Sequence, residues 1–218
     1  MMLDSHFSDE PEIRRQAMNS PKSFTQSETS LSAMKAIQQR RSVRDYTSQT
    51  IDKSVIQMLL DAAVLAPTAM HEEPWPFAII QNNKVLDRLS ETAKKLVRNE
   101  AQGSDTDRAK HTLHVMDKPD FHVFYNAGTL IAIYSKLPGP FVVADCWLAA
   151  ENLLLAACAQ GLGTCVIGFA VAALNTPEWK AELKIPAAMT AIAPMILGVP
   201  AGVTPPAPRK LPEILTWI

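Results

Sequence analysis

Cysteine is scarce in this sequence: Cys146, Cys158 and Cys165 are its only three in 218 residues. An odd number, all in apolar stretches and without a C-x-x-C, argues against a disulfide scaffold and fits a reducing, cytoplasmic setting. Net charge is lacking too. At −1 overall the chain offers no broad basic surface, so neither nucleic acid nor an anionic membrane is expected as a partner. Glycine is sparse, with 8 residues. Its closest pair, Gly161 and Gly163, has neither G-x-G-x-x-G nor Walker spacing, so a Rossmann or P-loop nucleotide site is not supported. His111 and His114 make an H-x-x-H, but no third ligand accompanies them and no metal site is expected. Residues 1–30 lack the apolar core of a signal peptide, so export is not indicated.

One long apolar run does exist. Phe141 to Gln160 approaches the length of a membrane span, yet it carries Asp145, Glu151 and Asn152 and stops at Gly161 as a helix C-cap would. It is expected to be a buried central helix. Around it the pattern predicts one domain over 31–218, preceded by an extension over 1–30 that is partly helical near Pro11 to Met18. A helix is expected from Ser30 to Arg40, with Leu31, Met34 and Ile37 on one face. Another opens at Asp52, with Ile51 and Ile56 placed as a hydrophobic staple, and runs to Pro67. Phe77 to Ile80 reads as a short buried strand, and Val85 to Val97 as a helix. Gln102 to Lys118 reads as an irregular excursion. Leu130 to Tyr134 and Cys165 to Ile167 read as strands, Thr176-Pro177 as a capped helix start, and Thr190 to Val199 as the last strand. A Pro-rich arm then leads to a helix-like Leu211 to Trp217. Helices interleaved with short strands give an α+β class with a modest sheet.

Four segments carry chemistry. Arg40-Arg41-Ser42-Val43-Arg44-Asp45-Tyr46 groups three guanidinium forks and a hydroxyl, the donors that match phosphate oxygens. Ala66 to Trp75 is a polar, proline-bracketed loop able to meet the edge of a planar ring. Gly161-Leu162-Gly163-Thr164-Cys165-Val166-Ile167-Gly168-Phe169 lets backbone approach a ligand closely. Arg209-Lys210 follows the Pro-rich arm. Each alone has an ordinary reading: a solvated helix end, a connector, a C-cap, a surface pair.

Together and in this order, over roughly residues 33–217, the four segments resemble the FMN-dependent nitroreductase family. That resemblance implies a central, mostly antiparallel sheet surrounded by helices, in an intertwined homodimer with FMN at the interface. It implies that Arg40, Arg41, Ser42 and Arg44 hold the phosphate and ribityl region and that Arg209 closes on the same phosphate. Ile167, Gly168 and Phe169 would face the isoalloxazine ring, while Pro67, Thr68, Ala69 and His71 arrive from the partner subunit. The implied activity is ping-pong hydride transfer from NADH or NADPH through flavin N5 to a nitroaromatic, quinone or similar small-molecule acceptor, with no obligatory catalytic side chain. The alternatives are a specialised flavin enzyme of the same fold (dehalogenase, enone reductase or flavin-fragmenting) and a non-catalytic flavin-binding protein. The chain departs from the family pattern at three positions: His71 stands where Asn is usual, Glu73 where Gln is usual, and Phe169 where Gly is frequent. His71 is either a neutral substitute for the Asn or a group that modulates the chemistry by titrating.

Overall fold

The computed structural model describes residues 31–218. The extension read over 1–30, with its partial helix, lies outside the described residues.

Strands β1 (Phe77–Ile80), β2 (Thr129–Ser135), β3 (Gly163–Val166) and β4 (Thr190–Gly198) form one sheet in the order β1-β2-β4-β3, every neighbouring pair antiparallel. Helix α1 spans Ala33–Gln39, α2 Lys53–Ala63, α3 Asn83–Ala101, α4 Asp107–Met116, α5 Val142–Ala159, α6 Val171–Leu174 and α7 Pro177–Glu182. The α+β class expected from the pattern and the antiparallel sheet implied by the resemblance are both found.

The two-residue period of the strands sorts their side chains into two cores. Ile131 and Ile133 of β2, with Ala193, Met195 and Leu197 of β4, face α2 and α5. Leu130, Ala132 and Tyr134, with Ala191 and Ile196, face the other way onto α3, α6 and α7. All seven residues of β2 are buried, as a strand covered on both faces requires. Each fully buried Leu or Ile contributes on the order of 1.5–3 kcal/mol. The Tyr134 phenol, pushed up to about 12 by burial, stays neutral there. A register shift between Ile133 and Tyr134 skips Ile192, a bulge that bends β4 locally. Pro194, two residues on, stays in register opposite Ala132, and its carbonyl accepts from the Ile167 amide at 2.9 Å.

Helix α5 is the one described helix long and apolar enough to cross a membrane. Its inner side is packed instead: Ala149, Ala150 and Leu153 are fully buried, and Asn152 Nδ2 donates to the Ala62 carbonyl of α2 at 3.2 Å. Its outer side shows Val143, Trp147 and Leu148, all exposed.

Several expectations need correction. α2 ends at Ala63, four residues before the proline, because a turn at Val64 to Ala66 closes it first. β1 is an edge strand with Ile79 exposed, so it is only half-buried. In α1 the face of Met34 and Ile37 points to solvent, and Ala36 is the buried residue. The excursion over Gln102 to Lys118 contains α4. Its signal was present: Thr106 accepts from the Ala109 amide at 3.3 Å as an N-cap, and Ala109, Leu113 and Met116 recur at helical spacing. Leu211 to Trp217 is not helical, and Leu211, Leu215 and Trp217 are exposed. Seven residues interrupted by Pro212 cannot nucleate a helix without a surface to bury them.

Candidate functional site

Ser32 caps α1, accepting from the Lys35 amide at 3.4 Å, and the chain leaves the helix at Arg40 in an extended conformation. From there to Tyr46 it runs beside β3 and the end of β4. The Val43 amide donates to the Thr164 carbonyl, the Thr47 amide to Val199 and the Ala201 amide to Asp45, at 2.9, 2.9 and 3.0 Å. Alternation then turns Val43 inward and leaves Ser42 and Arg44 exposed.

Two glycines permit this approach. A Cβ on Gly163 would lie 3.0 Å from Val43 Cβ and from Pro200 Cγ, and one on Gly198 would lie 2.7 Å from Tyr46 Cδ1. The Tyr46 hydroxyl donates to the Val43 carbonyl at 2.7 Å, and burial raises its pKa so far that it remains a donor. Sequence reasoning assigned neither Gly198 nor Tyr46 this role. The signal was slight, a glycine late in a strand and an aromatic ending an arginine cluster.

The arginines divide between two clefts on either side of this strand. Arg40 and Arg41 line one of about 200 Å³ with Cys158, Gly161, Thr164 and Pro200. Arg40 Nε stands 3.7 Å from Glu151 of α5, and Arg41 Nη1 donates to the carbonyls of Gln38 and Arg40 at 2.7 and 2.9 Å. Arg44 lies over the Tyr125 ring at 5.7 Å and opens on the larger cleft, about 670 Å³, with Cys165, Ile167, Gly168 and Phe169. The far wall of that cleft comes from α3, α4 and the turn before α4: Glu100, Ser104, Thr106, Arg108 and Thr112. Ser42 lines neither cleft; it bridges to Thr164. Burial pushes the Cys165 thiol up, against the nearby Arg44 charge, so it is a poor nucleophile. Among the described residues no group of His, Cys, Asp and Glu is arranged to hold a metal.

The second predicted group sits elsewhere. Pro67 and His71 are exposed, and Thr68 and Ala69 are part-buried against α5, where both donate to Asp145. None of the four lines either arginine cleft. At helical rise Asp145 lies about 20 Å along α5 from Cys158, the helix residue beside Arg40 and Arg41. Within one chain the predicted residues therefore fall into separate groups, the arginine strand and the Pro67 to His71 loop, that meet α5 far apart. Arg209 joins neither: it is exposed on the terminal arm, without a hydrogen bond or ion pair among the described residues.

Comparison with known proteins gives this arrangement a context. Residues 37–199 match the family model described as "Nitroreductase family". A candidate NADH dehydrogenase/NAD(P)H nitroreductase of Methanothermobacter thermautotrophicus is 31% identical over 133 residues, 61% of this chain and 59% of that relative. A protein of the same description from Archaeoglobus fulgidus is 29% identical over 167 residues, 77% of this chain and 84% of the relative. An iodotyrosine deiodinase of Thermotoga neapolitana is 26% identical over 128 residues, 57% of this chain and 67% of that one. The crystal structure of a nitroreductase with bound FMN from Bacteroides fragilis superposes with a TM-score of 0.72 at 25% identity, covering 86% of this chain and 98% of that one.

Proposed function

The chain belongs to the nitroreductase family, and from that premise we propose that it binds FMN and works as an NAD(P)H-dependent flavin oxidoreductase. The observation that carries the reading is one strand, Arg40 to Tyr46, pinned between two clefts. On one side it sets Arg40 and Arg41; on the other it sets Arg44 against the backbone of Ile167 to Phe169. The donor set fits the cofactor. A phosphate suits Arg40 and Arg41, whose charge-assisted bonds are worth about 1.5–3 kcal/mol each. A planar ring suits the larger cleft, where Gly168 leaves the backbone accessible and a guanidinium faces the ring edge.

Bound FMN would supply the two-electron chemistry, taking hydride from NADH or NADPH and passing it to an acceptor in a second, ping-pong half-reaction. The chain's own residues bind, orient and restrict. Arg44 would place positive charge beside a bound ring, where it would favour negative charge on that ring. Phe169, 41% exposed, and the wall of Arg108 and Thr112 limit what stacks there.

The site is incomplete in one chain, and a homodimer completes it. Met34, Ile37, Trp147 and Leu148, with Leu211, Leu215 and Trp217 of the arm, expose apolar surface in the single chain. A second copy covers it, bringing the loop of Pro67, Thr68, Ala69 and His71 to the partner's arginine strand and giving the arm of Arg209 a surface to fold on. The three free thiols fit a reducing, cytoplasmic setting.

Purified protein is expected to be yellow, to run as a dimer and to release FMN on denaturation. Anaerobic mixing with NADH or NADPH is expected to bleach it; bound flavin that neither nucleotide bleaches would sink the reductase reading. A second reading, reductive dehalogenation, draws support from the deiodinase similarity and from Phe169 in the cleft. A panel of a nitrofuran, a quinone, an enone and a halophenol separates the two.

A further inference from the structure

The loop that carries His71 is held in a costly conformation. Met70 and His71 both have φ of 55° and Glu73 has φ of 44°, the left-handed region that side chains other than glycine avoid. Such a run persists only when its surroundings over-determine it. At its far end the Lys136 amide donates to the Pro74 carbonyl at 2.9 Å and Lys136 Nζ to the Glu73 carbonyl at 3.5 Å; at its near end the tie is a carboxylate. Asp145, in the first turn of α5, is 4% exposed. A single oxygen, Oδ2, accepts from Thr68 Oγ1 at 3.1 Å and from the Ala69 amide at 3.2 Å. Thr68 Oγ1 in turn accepts from the Glu73 amide at 3.3 Å, so both ends of the turn are tied to the same point. No cation is paired with Asp145 among the described residues.

We propose that Asp145 is a positioning residue for the cofactor: acting through Thr68, it locks the 68–73 loop in the strained form that presents His71 to the flavin of the partner subunit. The assignment of the loop to a flavin site rests on the function proposed above; the pinning of the loop does not. A buried carboxylate in a helix's first turn is stabilised by the helix dipole and by the two hydrogen bonds it accepts. Removing it leaves two donors unpaired and the left-handed residues without their restraint.

The test uses the full-length protein with FMN and reads two quantities: the affinity for FMN, and the hydrogen exchange of the Ala69 and Glu73 amides with and without FMN. Asp145→Ala is expected to weaken FMN binding about tenfold or more and to accelerate both amides. Asp145→Asn is expected to restore both, because an amide oxygen can accept the two bonds that Oδ2 accepts. A merely structural role would not be rescued selectively in this way. Thr68→Val keeps α5 intact and is expected to free the Glu73 amide while adding nothing to Asp145→Ala in the double variant. Unchanged exchange and affinity in Asp145→Ala overturn the proposal. If that variant does not fold, an unchanged Glu73 amide in Thr68→Val does the same. Wild-type protein that binds no FMN refutes the flavin assignment instead, and the exchange data then still decide whether Asp145 pins the loop.

Discussion

The two groups of predicted site residues are built in opposite ways. The arginine strand is a backbone structure: three main-chain hydrogen bonds tie it to β3 and to the residues just after β4, and two glycines let it lie close. The 68–73 loop depends on side chains, with a buried carboxylate at the other end of α5 bonded to Thr68 and Ala69 and Lys136 Nζ bonded to Glu73. A backbone-built half tolerates changes of side chain and fails when the sheet edge is disturbed. A side-chain-built half depends on single residues far away in sequence, since Asp145 stands 77 positions after Thr68.

The comparison can be broken most severely at Gly198. Gly198→Ala drives a methyl into the Tyr46 ring and dislodges the strand from β4. A loss of about 1–3 kcal/mol in urea unfolding is expected, with FMN binding lost alongside it. A variant as stable as wild type would show that the strand is not held by close approach. Arg44→Ala should leave the fold intact and weaken FMN by about tenfold or more, measured by fluorescence titration. It sharpens the contrast, since side chains on the backbone-built half affect binding but not architecture.

Acidification is expected to act at His122, next to Val123 of the larger cleft. His122 Nδ1 accepts from the Phe124 amide at 3.2 Å, which leaves the proton on Nε2, 3.3 Å from Asp87 without a well-directed hydrogen bond. Burial pulls the His122 pKa below its ordinary value, against Asp87 and Glu91, which favour the charge, and with Lys94, which opposes it. Above about 6.5 the group is neutral folded and unfolded. As pH falls below that, the unfolded chain takes up the proton first, so stability declines down to the lower folded pKa and then levels off. Thermal midpoints at about pH 7.5 and 5.5 should therefore diverge more in wild type than in His122→Gln, and equal divergence would remove the residue from this role. The smallest effect is expected at the loop tip. His71→Asn should leave the pH–rate profile unchanged, as a hydrogen-bonding stand-in for Asn predicts; a profile that changes shape would give the imidazole a part in the chemistry.

Legibility in the sequence followed the same division. Strand β2, helix α5 and the Thr176 cap were readable because periodicity and capping are local. The arginine cluster and the segment ending at Phe169 were readable as chemistry, and the sheet brings Arg44 beside Ile167, Gly168 and Phe169. The cap and spacing of helix α4 are present in the sequence, but its polar residues mask a short apolar stripe. The apolar face of Met34 and Ile37 is legible as a face, yet amphipathic spacing does not say whether a surface covers it. The helix-like pattern of Leu211 to Trp217 has the same limit.

The sequence by itself determined the class, the order of the elements and which segments are proposed to meet an anion and a ring, all of which rest on contacts a few residues long. Only the tertiary structure decided that the arginine strand and the 68–73 loop meet α5 at points about 20 Å apart, that Gly198 yields space to Tyr46, and that Asp145 is bonded to the loop. Those facts depend on which distant segments share a surface. Local pattern cannot carry that information, because the energy that selects it comes from packing across the sheet rather than along the chain.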